Sequence, residues 1–112
     1  MIVNHVMEMG VIAEAPRTSI TAKGAMRTSF RLAVPTGFSD RTGERTSYYF
    51  TVVVWRKLAK KCAKVLHPGC RVVVTGKLTA RSYEDAQGIF QYAVEIEADD
   101  VALVAAKEDH GD

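Results

Sequence analysis

Nine aromatic rings and fifteen Lys/Arg side chains are spread along this 112-residue chain, and some fall where a ring and a cation would act together. The plainest case is Arg81-Ser82-Tyr83. Two residues apart in an extended arm, the guanidinium and the ring point to the same side. Such a pair can clamp a phosphate and stack its base at once. Binding a single nucleic-acid strand with little sequence preference asks for that combination, π-faces for bases and cations for the backbone, and each stacked base contributes about 1–3 kcal/mol. Further cations are Arg27 and Arg31, Arg56 and Lys57, and Arg71 and Lys77. The helical set Lys57, Lys60, Lys61 and Lys64 reads mainly as a solvated face.

Position along the chain sorts the rings. Phe38 and Tyr83 lie in polar segments with no core to fill. Phe30, Tyr48 and Phe50 share the apolar side of their strands, which assigns them to core packing. Tyr49 points the other way, beside Thr51 and Val53. Trp55 stands where a strand gives way to a helix. Parity leaves Tyr49 and Trp55 open between packing and stacking.

No enzyme is expected. There is no Walker loop, HExxH or GxSxG, and His5, His67 and His110 are scattered. Glu95 and Glu97 alternate along one strand face and read as a solvated edge. Cys62, His67 and Cys70 spell Cys-x4-His-x2-Cys, which lacks an evident fourth metal ligand. Cys62 falls on an apolar helix face, so two buried free thiols are expected, with no metal and no cofactor.

Charge is sorted along the chain. Residues 1–81 hold 14 Lys/Arg and 4 Asp/Glu, and residues 82–112 hold 1 and 9, so a body of +10 precedes an end of −8. A basic body suits a polyanion partner. No apolar run approaches the ~20 residues of a membrane span, and no signal sequence opens the chain, so the cytoplasm is the expected compartment.

The elements that must position these groups follow from periodicity. Val3 to Ile12 reads as a first strand with Gly10 as a bend or bulge. Ala13 to Ala25 reads as a long connection. Met26 to Val34 alternates, with a basic polar side. Pro35 to Arg45 reads as a loop, and Thr46 to Val54 as a third strand. From Trp55 the period becomes helical, with Leu58, Ala59, Cys62, Val65 and Leu66 on one stripe, and His67-Pro68-Gly69 stops the helix. Cys70 to Leu78 is a fourth strand with Val72, Val74, Gly76 and Leu78 inward. Thr79 to Tyr92 is a hairpin arm around Asp85-Ala86-Gln87-Gly88. Ala93 to Val104 is a fifth strand with Val94 and Ile96 inward. Five strands with one short α-helix between the third and fourth predict an all-β OB-fold barrel, a single domain over residues 1–104 with a short polar tail at 105–112.

The segment VVVWRKLAKKCAKVLHPGCRVVVTGKLTARSYED resembles the bacterial single-stranded DNA-binding protein family. Its marks are a valine-rich strand, an aromatic, Arg-Lys, Leu-Ala and a turn Gly, then a strand ending Gly-Lys-Leu and a loop Thr-x-Arg-x-aromatic. Asn4-x-Val6 resembles the family's opening, and Phe30-Arg31-Leu32-Ala33-Val34 its second strand. The resemblance covers residues 2–104. It implies stacking roles for Phe38, Tyr49, Trp55 and Tyr83, and backbone contacts for Lys57 and Arg81. With the cations read from the strands, the expected nucleic-acid-binding set is Phe38, Tyr49, Trp55, Tyr83, Arg31, Arg56, Lys57, Lys77 and Arg81.

The implied function is binding and protection of single-stranded DNA in replication, recombination or repair, by a homo-oligomer that is a tetramer or a dimer. Phe or Tyr replaces Trp at all but one stacking position, which implies weaker stacking. The residues from Ala105 to Asp112 do not match the family's long linker and acidic tip, so tail-mediated protein partners are not expected. The alternatives are a primosomal type of OB protein, which loads replication factors, and an OB module for protein interaction.

Overall fold

The computed structural model describes residues 1–105, and the polar tail expected at 105–112 lies, beyond Ala105, outside the described residues. Five strands and one helix follow in the expected order. They are β1 (Val6–Ile20), β2 (Met26–Ser39), β3 (Arg45–Trp55), α1 (Arg56–Val65), β4 (Arg71–Glu84) and β5 (Phe90–Ala105). The strands close into a barrel in the order β1-β2-β3-β5-β4, the OB-fold arrangement. All neighbours are antiparallel except β3 and β5, which pair in parallel at Val52 with Ile96 and Val53 with Glu97.

One strand does most of the closing. Val6 to Val11 of β1 pairs with β4, and Val11 to Ile20 pairs with β2. β1 therefore runs well into the segment whose composition suggests a connection. Pro16 is tolerated because bulges between Ile12 and Arg17 break the ladder there. The bulge expected at Gly10 falls after it instead. Gly10 serves close approach, since a Cβ there would run into the Ala33 carbonyl. Gly76 does the same on β4, where a Cβ would meet the Glu97 carbonyl.

The core is the inward face of every strand. Ile12, Phe30, Leu32, Val52, Val54, Val72, Val74 and Ile96 are all at most 3% exposed. α1 seals one end with Ala59 and Cys62, followed by Leu66. Val65, expected on that stripe, is exposed. The buried Thr28 hydroxyl donates to the Ala59 carbonyl at 3.0 Å, tying helix to barrel, and exchanges a 2.9 Å hydrogen bond with Thr18. Both cysteines are buried free thiols. Among the described residues no helix is long and apolar enough to cross a membrane.

The β2–β3 and β4–β5 pairs continue past the barrel as two hairpin arms. The loop expected at Pro35 to Arg45 is thus mostly strand, with its turn reduced to Asp40–Glu44. Both arms end in Asp-x-x-Gly. Asp40 Oδ1 accepts from the backbone of Thr42 at 2.8 Å and of Glu44 at 3.0 Å, and Asp85 Oδ1 from Gln87 at 2.9 Å and Ile89 at 3.0 Å. The Thr42 hydroxyl, which also donates to Asp40 Oδ1, and the backbone N–H of Ile89 on Asp85 do most to favour the ionised carboxylates, and both groups are held below the usual Asp range.

Inward parity stops meaning burial where the arms outrun the barrel. Alternation places Tyr48, Leu78 and Val94 inside. They are 56%, 45% and 64% exposed, because no opposing strand covers that side of an arm. Phe50, closer to the barrel, does pack on the core.

Candidate nucleic-acid interface

The outward face of β2, β3, β5 and β4 is one continuous surface. Register sets its rows: Ser29 on β2 lies beside Val53 on β3, which lies beside Glu97 on β5, which lies beside Lys77 on β4. Arg27 is opposite Trp55, and Thr79 is opposite Glu95. These side chains enclose a groove of about 520 Å³ lined by Arg27, Val53, Trp55, Thr79, Arg81, Glu95 and Glu97.

Two ring–cation pairs border this face. The Arg31 guanidinium lies over the Tyr49 ring at 5.7 Å from its centroid, and that of Arg81 over Tyr83 at 5.4 Å. Both lie within cation–π range. Each residue is substantially exposed, 56% for Tyr49 and 44% for Tyr83, with a guanidinium already over its ring. The Arg31 guanidinium also donates to the Thr51 hydroxyl at 3.5 Å.

Trp55 stands at the divide between the groove and a second depression lined by Thr21, Ala22, Lys23, Ala25, Arg56 and Glu97. Its neighbour Arg56 has φ of 57°, the only positive φ outside glycine among the described residues. That left-handed turn swings the chain from β3 into α1. It costs roughly 1–2 kcal/mol for a residue with a Cβ. Arg56 and Lys57 also put two cations in the first turn of a helix that has no acidic residue there and no side-chain cap. The helix dipole opposes cations at this end. Local stability therefore does not account for them.

The remaining expected residues spread outward. Phe38 is 74% exposed on the β2–β3 arm, in a shallow recess with Pro35, Gly37, Ser39, Arg45 and Thr46. Lys57 is exposed on α1 and does not line the groove. Lys77 lines the face but is paired with Glu97 at 3.3 Å.

Three participants are not singled out by sequence. Arg27 is one cation among many, and only the Arg27–Trp55 register brings it into the groove. Glu95 and Glu97 read as a solvated edge. Instead they face the groove, with the Glu95 side chain only 12% exposed between Arg27 at 4.0 Å and Arg81 at 3.4 Å. Alternation gives their face correctly. It does not tell that this face is the groove.

The single-strand binding protein family model matches residues 3–104, nearly the whole of the described barrel. The chain belongs to the single-strand binding protein family. A single-stranded DNA-binding protein of Caldanaerobacter subterraneus subsp. tengcongensis is 34% identical to it over 96% of this chain and 72% of the relative. Two Bacillus subtilis relatives differ in how much of their length is matched. Single-stranded DNA-binding protein A is 32% identical over 96% of this chain and 63% of its own length. Single-stranded DNA-binding protein B is 34% identical over 93% of this chain and 92% of its own. Within this single-strand binding family member, the valine-rich strand, Gly-Lys-Leu and Arg-Ser-Tyr pieces are β3, the bend of β4 and the β4–β5 arm.

Proposed function

We propose that this chain binds single-stranded DNA with little sequence preference, through residues 1–104, and so protects it during replication, recombination or repair in the cytoplasm. The observation that carries the reading is the pair of ring–cation contacts on outward strand faces, Arg31 on Tyr49 in the β2–β3 pair and Arg81 on Tyr83 in the β4–β5 pair, the second of them with its Arg81 in the groove wall. Each pair offers a phosphate contact and a stacking surface at one place. Trp55 in the groove wall, Phe38 on one arm, and the cations Arg56, Lys57 and Lys77 extend the track. Family membership and the relatives' names support the same ligand. The action is binding and covering, with no bond made or broken.

Self-association is part of the proposal. On the other side of the barrel Met7 and Met9 of β1 are 65% and 54% exposed, and their β4 neighbours Thr75 and Val73 continue the sheet. An exposed apolar sheet face supports pairing between copies. A tetramer or a dimer meets it, and mass in solution with and without oligo(dT) distinguishes them.

Trp55 is the sole Trp, so it reports on the groove directly. Titration with oligo(dT) at low salt should partly quench its fluorescence in step with binding. An emission spectrum unchanged at saturating DNA would remove Trp55 from the site, and absence of binding by any readout would overturn the function.

A further inference from the structure

Glu95 sits inside the face assigned above to an anionic ligand. It accepts from Arg81 Nε at one oxygen and Arg81 Nη2 at the other, both at 3.4 Å, and its Oε2 lies 4.0 Å from Arg27 Nη2. One carboxylate therefore serves guanidiniums from two different strands, β2 and β4. The Nε–Nη2 edge of Arg81 that faces it is the edge a guanidinium uses to grip a phosphate with two parallel hydrogen bonds.

The contacts are loose. Charge-assisted N–H to O bonds settle at about 2.7–2.9 Å, and these run from 3.4 to 4.0 Å. Arg81 is itself 57% exposed in its side chain, and its guanidinium lies over the Tyr83 ring, within reach of an incoming strand. A phosphate arriving at Tyr83 meets a cation that already has an anion. Both anions cannot hold the same edge of Arg81.

We propose that Glu95 is a resident counter-anion. In the free protein it holds the guanidiniums of Arg27 and Arg81 in the place of a DNA phosphate. Strand binding at this end of the groove is then an exchange of carboxylate for phosphate and not a simple addition. Glu95 thereby lowers affinity and flattens its salt dependence, which lets a bound strand leave or slide. The inference rests on the single-stranded DNA reading and adds a named residue that tunes it.

The test uses Glu95→Gln in the full chain, titrated with oligo(dT) over a range of salt beside the wild type. Removing one negative charge about 6 Å from a bound phosphate should tighten binding roughly tenfold at low salt. It should also steepen the log–log salt slope by up to about 0.7, the equivalent of the single charge removed. Glu95→Asp keeps the charge but draws the carboxylate back from contacts already at 3.4–4.0 Å, so its affinity and slope should fall between those of the wild type and Glu95→Gln. A role in merely orienting Arg81 gives the reverse pattern, with both variants weaker, and that result overturns the proposal. So does a folded Glu95→Gln that binds as the wild type does. Wild-type protein that fails to bind oligo(dT) overturns the functional reading along with it. If Glu95→Gln does not fold, the Arg81 Nε–Hε resonance of the wild type decides. It should move on saturation with oligo(dT) as the partner changes, and an unmoved resonance rejects the exchange.

Discussion

The guanidinium of Arg81 lies 5.4 Å from the centroid of the Tyr83 ring while its other edge meets Glu95, so one side chain joins a stacking surface to the groove. The pair is built by strand alternation within the β4–β5 arm, and the Asp85 turn holds that arm in register. Tyr83→Ala should weaken oligo(dT) binding by about 1–3 kcal/mol through lost stacking and leave the fold intact. Arg81→Ala should flatten the salt slope by about 0.7, and the double variant should show less than additive loss. Strict additivity in the cycle would mean that ring and cation act on different parts of the strand. Lys61→Ala, on the exposed side of α1, should change neither quantity.

Phe30 and Tyr49 divide structure from binding. Phe30 is 3% exposed on the inward face of β2, and Tyr49 is 56% exposed on the outward face of β3. Phe30→Ala should cost about 3–5 kcal/mol of unfolding free energy. Tyr49→Ala should leave the denaturation midpoint nearly in place and weaken DNA binding. Tyr48→Ala separates the two criteria further, because this ring has inward parity but is 56% exposed. Chemical denaturation of the three variants checks the order, which fails if Tyr48→Ala proves as damaging as Phe30→Ala.

Gly76 is required by contact and not by an unusual backbone angle. A methyl group there would run into the Glu97 carbonyl and the Ala98 backbone across the ladder. Gly76→Ala should therefore cost about 1–3 kcal/mol or more through forced backbone shifts. Gly43→Ala, at a turn with open space but a φ of 84°, should cost about 1–2 kcal/mol from the left-handed conformation. Thermal melts of the two report contact strain and conformational strain separately. An unchanged midpoint for Gly76→Ala would show that the barrel can relax at its tightest point.

Cys62 predicts an alkaline limit. Burial on the inner face of α1 disfavours the thiolate and, against a smaller opposing effect of the Lys61 charge, pushes the thiol up to about 11 from a usual 9.0. The folded state thus favours the protonated form. Its contribution is fully present below about pH 9 and is lost as pH rises through about 11. The urea midpoint of the wild type should fall more steeply over that window than that of Cys62→Ala. Equal slopes would show that Cys62 does not titrate with unfolding.

The order of strands, the helix between β3 and β4, and the inward or outward side of most residues are legible in the sequence, because alternation and helical period follow from backbone geometry alone. The same rule by itself puts Tyr49, Arg31, Arg81 and Tyr83 outward. Parity names a face, however, and says nothing of what lies over it. Tyr48, Leu78 and Val94 carry inward parity on arms that outrun the barrel, and only the closed tertiary arrangement shows where cover ends. β1 reaches Ile20 through a stretch with the composition of a connection, because pairing with β2 supplies hydrogen bonds that local composition does not record. Glu95 is the sharpest case. Its alternation marks it as outward, and a lone outward carboxylate is ordinarily solvated. Bringing β2 and β4 to either side of it turns that carboxylate into the shared partner of Arg27 and Arg81, residues 68 and 14 positions away. Long-range pairing decides which charges meet, and charges that meet decide what the groove can hold.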